Sequence, residues 1–440
     1  MLVTDIHDGA ASVYFQQFVT LVGEEHWCQP VEKWAAHTQH NTFLREHYQS
    51  ANALTFGLSR CSELVCRYGT LPPALVKEHG LQFPVAFMAQ VLSLHAGMPL
   101  PMRNGFLGRV RNALRNSDEM RGLRLEMAAA THFLRRGHRL AWPELAPDAN
   151  GTNGKVFDLL VEDLGSAGLE IECKAVSHDK GRALKQEAVA TFSAALRSEL
   201  EAMSTNLRGG LSVVVTVPKQ LPSTPVGQAA LARHIRLAIL SNQSKTIEDG
   251  VVVRIEQFDL ARLGDAPTMT NGVPAREVID ALTRTRNRPV LAMGRPGIGA
   301  LLLVVQSAKE DSLLDAIEAT ARGARHQLSG RRPGLVLLGF DGIEAAQLAD
   351  IARQDQTSGQ PRTILAQAAD RVLAGAGREH MVAVGFLSNT QAQTTEMSGA
   401  ISYGGSAYHF FNRNSPHWHA DFAGMFGGRS PQPDNERRAA

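Results

Sequence analysis

The chain has only four cysteines, Cys28, Cys61, Cys66 and Cys173, and no two of them form a CxxC pair. This spacing supports no zinc site. No uncharged apolar run approaches the ~20 residues needed to cross a bilayer. The opening stretch Met1–Asp8 lacks the basic region and apolar core of a secretion signal. These absences predict a cytoplasmic protein with no membrane partner and no structural disulfides. Neither sign of charge predominates: the net charge is +2, so the overall balance names no polyanionic partner. No Gly-x-Ser-x-Gly element points to a serine hydrolase. The glycine-containing turn Gly294–Gly299 lacks the Gly-Lys-Ser/Thr ending of a phosphate loop. His409, His417 and His419 sit among aromatics and leave a metal site open, but no HExxH or closed Cys/His set supports one; the Tyr408–Phe411 aromatics read as packing residues.

What is present is ordinary globular material. With 44% apolar and 20% charged residues, 440 residues can bury a large core and are expected to form two or more domains. Residues 1–115 read as helical, with apolar spacings of three and four over Val13–Val22 and Thr42–Tyr68 and a shorter run over Val85–His95. From residue 138 onward, strand-like and helix-like runs alternate, which predicts an α/β protein. Strands are expected at 211–217, 250–256, 301–306, 334–340, 380–386 and 399–403.

Residues 120–190 carry the chemistry. A helix is predicted over 117–136, capped by Asn116, Ser117 and Asp118 and stopped by Gly137. Glu126 lies on its apolar stripe with Leu123, Ala129, Ala130 and Phe133, an expensive place for a carboxylate without a partner or a metal. A first strand is expected at 138–142, a second at 155–161 carrying Asp158, and a third at 169–176. In the third, Leu169, Ile171, Cys173 and Ala175 face one way, and Glu170, Glu172 and Lys174 the other. The turn 162–168 makes the last two a hairpin, returning Asp158 beside Glu172. Their carboxylates are expected within about 5 Å of each other or across a metal-sized gap. Arginines crowd this region at 103, 109, 111, 115, 121, 124, 135, 136 and 139. A basic surface there would gather a phosphate backbone without reading sequence.

Glu126 on a helix, Asp158 on a strand and Glu172-Cys173-Lys174 on the next strand resemble the PD-(D/E)xK nuclease superfamily. The helix–strand–strand–strand–helix order from 117 to 203 resembles its core. The match spans about 90 of the 440 residues. Phe157 stands where the family name has proline. The resemblance implies a restriction-endonuclease-like mixed sheet flanked by helices. It implies Asp158 and Glu172 as ligands of Mg²⁺, with Mn²⁺ as a substitute, and Glu126 and the Cys173 carbonyl as further ligands. Lys174 would orient the attacking water and stabilise developing charge. Arg111, Arg115, Lys180, Arg182 and Gln186 are the expected nucleic-acid contacts.

The expected layout is therefore a helical accessory or DNA/partner-binding region (1–115) and a nuclease-like core (116–260). A C-terminal α/β extension (261–426), continuous with the core sheet or not, and a disordered tail (427–440) follow. The expected activity is metal-dependent DNA endonuclease action in restriction or phage defence, by a homodimer that also has a protein partner through its helical region. Two alternatives stay open: a catalytically inactive nuclease-like DNA-binding or assembly protein, and an RNA- or single-strand-directed nuclease.

Overall fold

The structure, a computed structural model, describes residues 2–146, 156–263, 276–286, 288–295, 297–388, 391–395 and 400–427. Strand β1 (Leu2–His7) leads into seven helices: α1 (Ala11–Val22), α2 (Glu25–His37), α3 (Thr42–Ala51), α4 (Ala53–Tyr68), α5 (Pro73–Glu78), α6 (Gln82–Gly97) and α7 (Leu100–Ala113). Helix α8 (Ser117–Arg135) and strands β2 (Leu140–Ala141), β3 (Leu159–Val161) and β4 (Leu169–Val176) follow. Next come α9 (Gln186–Asn206), β5 (Gly209–Val217), α10 (Pro225–Leu240), β6 (Lys245–Thr246), β7 (Val252–Phe258), α11 (Arg276–Thr283), β8 (Val290–Arg295) and β9 (Gly299–Ser307). The chain ends with α12 (Leu313–Gln327), β10 (Gly334–Phe340), α13 (Ala345–Gln356), α14 (Ile364–Leu373), β11 (Met381–Leu387), β12 (Gln391–Thr395), β13 (Ala400–Gly405) and β14 (Ala407–Phe411). The protein is thus mixed α/β with a mostly helical N-terminal part. No described helix is long and apolar enough to cross a membrane.

The chain divides into two units, but not at the boundaries expected from the sequence. One unit holds 1–33, 51–180 and 313–440, and the other holds 34–50 and 181–312. The expected break between residues 115 and 116 is absent because helices and sheet share one apolar core. Phe18, Trp27, Phe87 and Phe106 from the helices join Met127 and Phe133 of α8, Ile171 of β4 and Leu335 of β10. The expected core 116–260 is likewise interrupted at residue 181. Helix α9, expected to close the site's layer, belongs with β5 and α10 to the second unit and its own core. The expected tail beyond Gly427, and residues 147–155 between the first two expected site strands, lie outside the described residues.

In the first unit the main sheet has the order β14-β11-β10-β4-β3-β2. Strand β4 runs antiparallel to β3 and parallel to β10, and β10 runs parallel to β11. The strand expected at 334–340 therefore flanks the site strand directly, the one at 380–386 lies beyond it, and the one at 399–403 joins a different sheet. One face of this sheet joins the core just described. The other packs Val336, Leu338, Phe340, Val384 and Phe386 against Ile317, Ala321, Ala368 and neighbours from α12 to α14. Helices on both faces bury both rows of a central strand. This corrects the picture of β4 as a half-exposed strand over an open cleft. Glu170 is buried and accepts hydrogen bonds from the Ser329 amide and hydroxyl at 2.8 and 2.6 Å. A separate antiparallel sheet has the order β1-β13-β12. The second unit's sheet, β6-β7-β5-β9-β8, is also mixed, with β5 parallel to β9.

Candidate active site

Helix α8 starts where its sequence asks it to. The Asn116 side chain accepts from the amides of Asp118 and Glu119 at 2.9 and 3.4 Å, and both acids sit in the first turn, where the helix dipole favours them. Its buried stripe includes Met120, Leu123, Met127 and Ala130, and Glu126 is buried among them, only 5% exposed. One partner compensates that burial. Arg109 on α7 donates from Nη2 to Glu126 Oε1 at 2.7 Å. The same guanidinium reaches Glu144 Oε2 from Nη1 at 2.8 Å. One oxygen each of Glu126, Glu144 and Asp158 lie within 4.8 Å of one another.

Asp158 precedes β3 rather than lying within it. Its Oδ2 accepts the Cys173 amide at 2.7 Å, taking a donor that a longer β3 would have paired. The ladder ends where Leu159 pairs with Ile171, so Asp158 lies just outside the paired register. It is near enough to Glu172 for its charge to raise that carboxyl. The metal-sized group is different: Glu144 occupies the place expected of Glu172, which belongs to no such group among the described residues. Glu172 is fully buried, its Oε1 in a close ion pair with Lys174 Nζ, and its Oε2 has no hydrogen-bond partner among the described residues. Cys173 pairs with Leu337 of β10 and packs its thiol into the core.

The crowding sets the charges. Burial pushes Glu126 up to about 7, with Asp158 adding to the shift and Arg109 opposing it. Burial pushes Glu172 up to about 8, with Asp158 again adding and Lys174 opposing. Asp158 is raised by burial against the pull of the Cys173 amide and Lys174. For Lys174 burial works downward, but Glu172, Asp158 and Glu126 outweigh it and the ammonium is held more firmly cationic. The donors are all hard carboxylate oxygens, and Glu126 Oε2 is buried with no hydrogen-bond partner among the described residues. Such a set fits Mg²⁺ or Mn²⁺ and does not fit a soft thiophilic metal.

A cleft opens at the carboxyl ends of β4, β10 and β11, where open α/β sheets commonly bind ligands, and none of the clustered acids lines it. Its walls include Arg121, Arg124, Ala175, Phe340 and Asp341. Arg121 holds Asp341 at 3.0 Å and also pairs with Asp118, and Arg124 lies over the Phe83 ring. Two of the expected nucleic-acid contacts are instead engaged within the protein. Arg111 donates to the carbonyls of Val22 and Leu21, both at 3.0 Å, and so fastens α7 to the end of α1. Arg115 meets His26 Nδ1 at 2.8 Å. Lys180 is exposed at the end of the first unit's middle segment, whereas Arg182 and Gln186 belong to the second unit. His409 stacks on Phe426 and is pushed down to about 4 by burial, as a packing residue would be.

The sequence reading missed Glu144 and the role of Arg109. Glu144 sits in the short helical turn Pro143–Leu145, in a stretch that reads as a polar loop with no periodicity to aim its side chain. Arg109 was visible only as one arginine in a row of nine. Comparison with protein-family models, with curated proteins and with solved structures finds no match for this chain.

Proposed function

We propose that the first unit is a divalent-metal-dependent phosphodiesterase that cleaves DNA. The observation that carries this reading is the meeting of Asp158 with Glu126 and Glu144 beside the buried Glu172–Lys174 pair. Further support comes from chain order. Within this unit α8, β2, β3 and β4 are followed by α12, so a helix–strand–strand–strand–helix order is preserved around a long insertion. Asp158, Glu126 and Glu144 would hold the cation. A bound Mg²⁺ supplies positive charge to the scissile phosphate and lowers the pKa of attacking water. Lys174, kept cationic by three acids, directs hydrogen bonds toward the phosphate oxygens and does not serve as a free base. Arg121 and Arg124 line the cleft where the flanking backbone would pass.

One observation favours a second reading. Glu172 is fully buried, tied to Lys174 and outside the metal-sized group, as expected if the core has kept its form for DNA binding or assembly without cleavage. The two separate in one experiment. Purified protein is incubated with linear, supercoiled and single-stranded DNA and with RNA, in Mg²⁺ or Mn²⁺. The proposal expects DNA cleavage that Asp158→Ala and Lys174→Ala abolish while the fold is kept. Retention of DNA without cleavage in either metal supports the second reading. Cleavage of RNA alone would move the substrate assignment, and equal cleavage by both variants would remove the site.

A further inference from the structure

We propose that Arg109 is the positioning residue of the acidic site, aiming its carboxylates at a divalent cation from the N-terminal helices. The inference rests on the metal reading above. Each of the three carboxylates is anchored by one oxygen. Glu126 Oε1 takes Arg109 Nη2 at 2.7 Å, Glu144 Oε2 meets Arg109 Nη1 at 2.8 Å, and Asp158 Oδ2 takes the Cys173 amide at 2.7 Å. The other oxygen of Glu126 is buried and has no hydrogen-bond partner among the described residues. Ligating carboxylates are commonly held in this way, one oxygen fixed by an outer donor and the other turned to the ion.

The guanidinium suits the task because its two terminal nitrogens sit in a rigid planar fork, so one side chain sets the separation of two glutamates. The fork has a firm mount. Phe106, Leu107, Val110 and Ala113 bury one side of α7, and Arg111 ties the helix to Leu21 and Val22. Glu144 is exposed on a short turn, and among the described residues Arg109 is its partner. Without the fork, that carboxylate has nothing to turn it inward. A lysine at 109 would keep the charge but present a single ammonium that cannot span both acids. On this view the N-terminal helices form part of the metal site, which is a different task from an accessory DNA-binding region.

The test is Mn²⁺ titration by calorimetry and by water-proton relaxation, with metal-free melting curves as the control for folding. It compares wild type, Arg109→Lys, Glu144→Gln and the double variant. The expected result is affinity at least about tenfold weaker in Arg109→Lys, the scale of losing an outer partner. Each bound Mn²⁺ should also relax water faster, as solvent takes the place of Glu144. The double variant should bind little worse than Arg109→Lys alone, because that change already releases Glu144. Arg109→Lys that melts lower yet binds Mn²⁺ with unchanged affinity and water relaxation would make Arg109 purely structural and overturn the proposal. Tighter binding would overturn it too, marking Arg109 as a cation that merely fills the site. A wild-type protein that binds no Mn²⁺ would remove the metal reading itself, an outcome distinct from failure of Arg109 alone.

Discussion

Raising the pH from 6 to 8 should tighten Mn²⁺ binding by roughly tenfold, because the metal needs ionised carboxylates. The magnitude follows from Glu126. Its carboxyl ordinarily titrates near 4.5, and burial pushes it up to about 7. At pH 6 roughly ten proteins in eleven then carry a proton on Glu126, which binding must expel, whereas at pH 8 few do. The raised Asp158 acts in the same direction. The metal-free protein should respond oppositely. A carboxyl whose folded pKa lies above its unfolded value stabilises the fold fully below the unfolded pKa and loses that contribution as pH climbs through the folded one. For Glu126 the window runs from 4.5 to about 7, and the contribution lost across it is on the order of 3 kcal/mol. Adding Mn²⁺ should therefore raise the melting temperature more at pH 8 than at pH 6. Calorimetry in two buffers of different protonation enthalpy measures the protons released. A dissociation constant that stays flat between pH 6 and 8, with no proton release at pH 6, would refute the reasoning that these buried acids are the ligands.

Three further outcomes are expected. Lys174→Met should cost about 1–3 kcal/mol by chemical denaturation, because it leaves the Glu172 carboxyl buried without its cation; the double variant with Glu172→Gln should recover much of that stability, and no recovery would argue against the pair. Arg111→Ala should lower the melting temperature while leaving DNA affinity and its salt dependence unchanged, whereas Arg124→Ala should weaken DNA binding and reduce the salt slope by about one; the reverse pattern in a filter-binding titration would reject the cleft as the backbone path. Asn116→Ala should cost about 1 kcal/mol through loss of the α8 cap, read as a lower denaturant midpoint, and an unchanged midpoint would show the cap to be redundant.

Much of the local structure was legible in the sequence. Strands β4 and β10 occupy the runs expected for them, 169–176 and 334–340, and α8 starts at its Asn116 cap and ends beside Gly137. These elements announce themselves through short-range chemistry: alternation, stripe and cap. Glu126 was legible for the same reason, as a carboxylate on an apolar stripe. The β3–β4 hairpin was legible too, since a short turn fixes register.

The sequence by itself thus determined the elements, their periodicities and the acidic residues worth watching. The tertiary structure decided which of those residues meet. Alternation shows that Glu172 and Lys174 share a face of β4. It does not show that helices cover both faces and that Glu172 is sealed within. Nor does chain order reveal that residues 181–312 fold apart, so that β10 pairs with β4 although 157 residues separate Val176 from Gly334 (334 − 176 − 1). Arg109 and Glu144 meet only because α7 packs against the short turn Pro143–Leu145. Such long-range placement comes from burying apolar surface, a non-directional force that leaves no spacing rule in the chain.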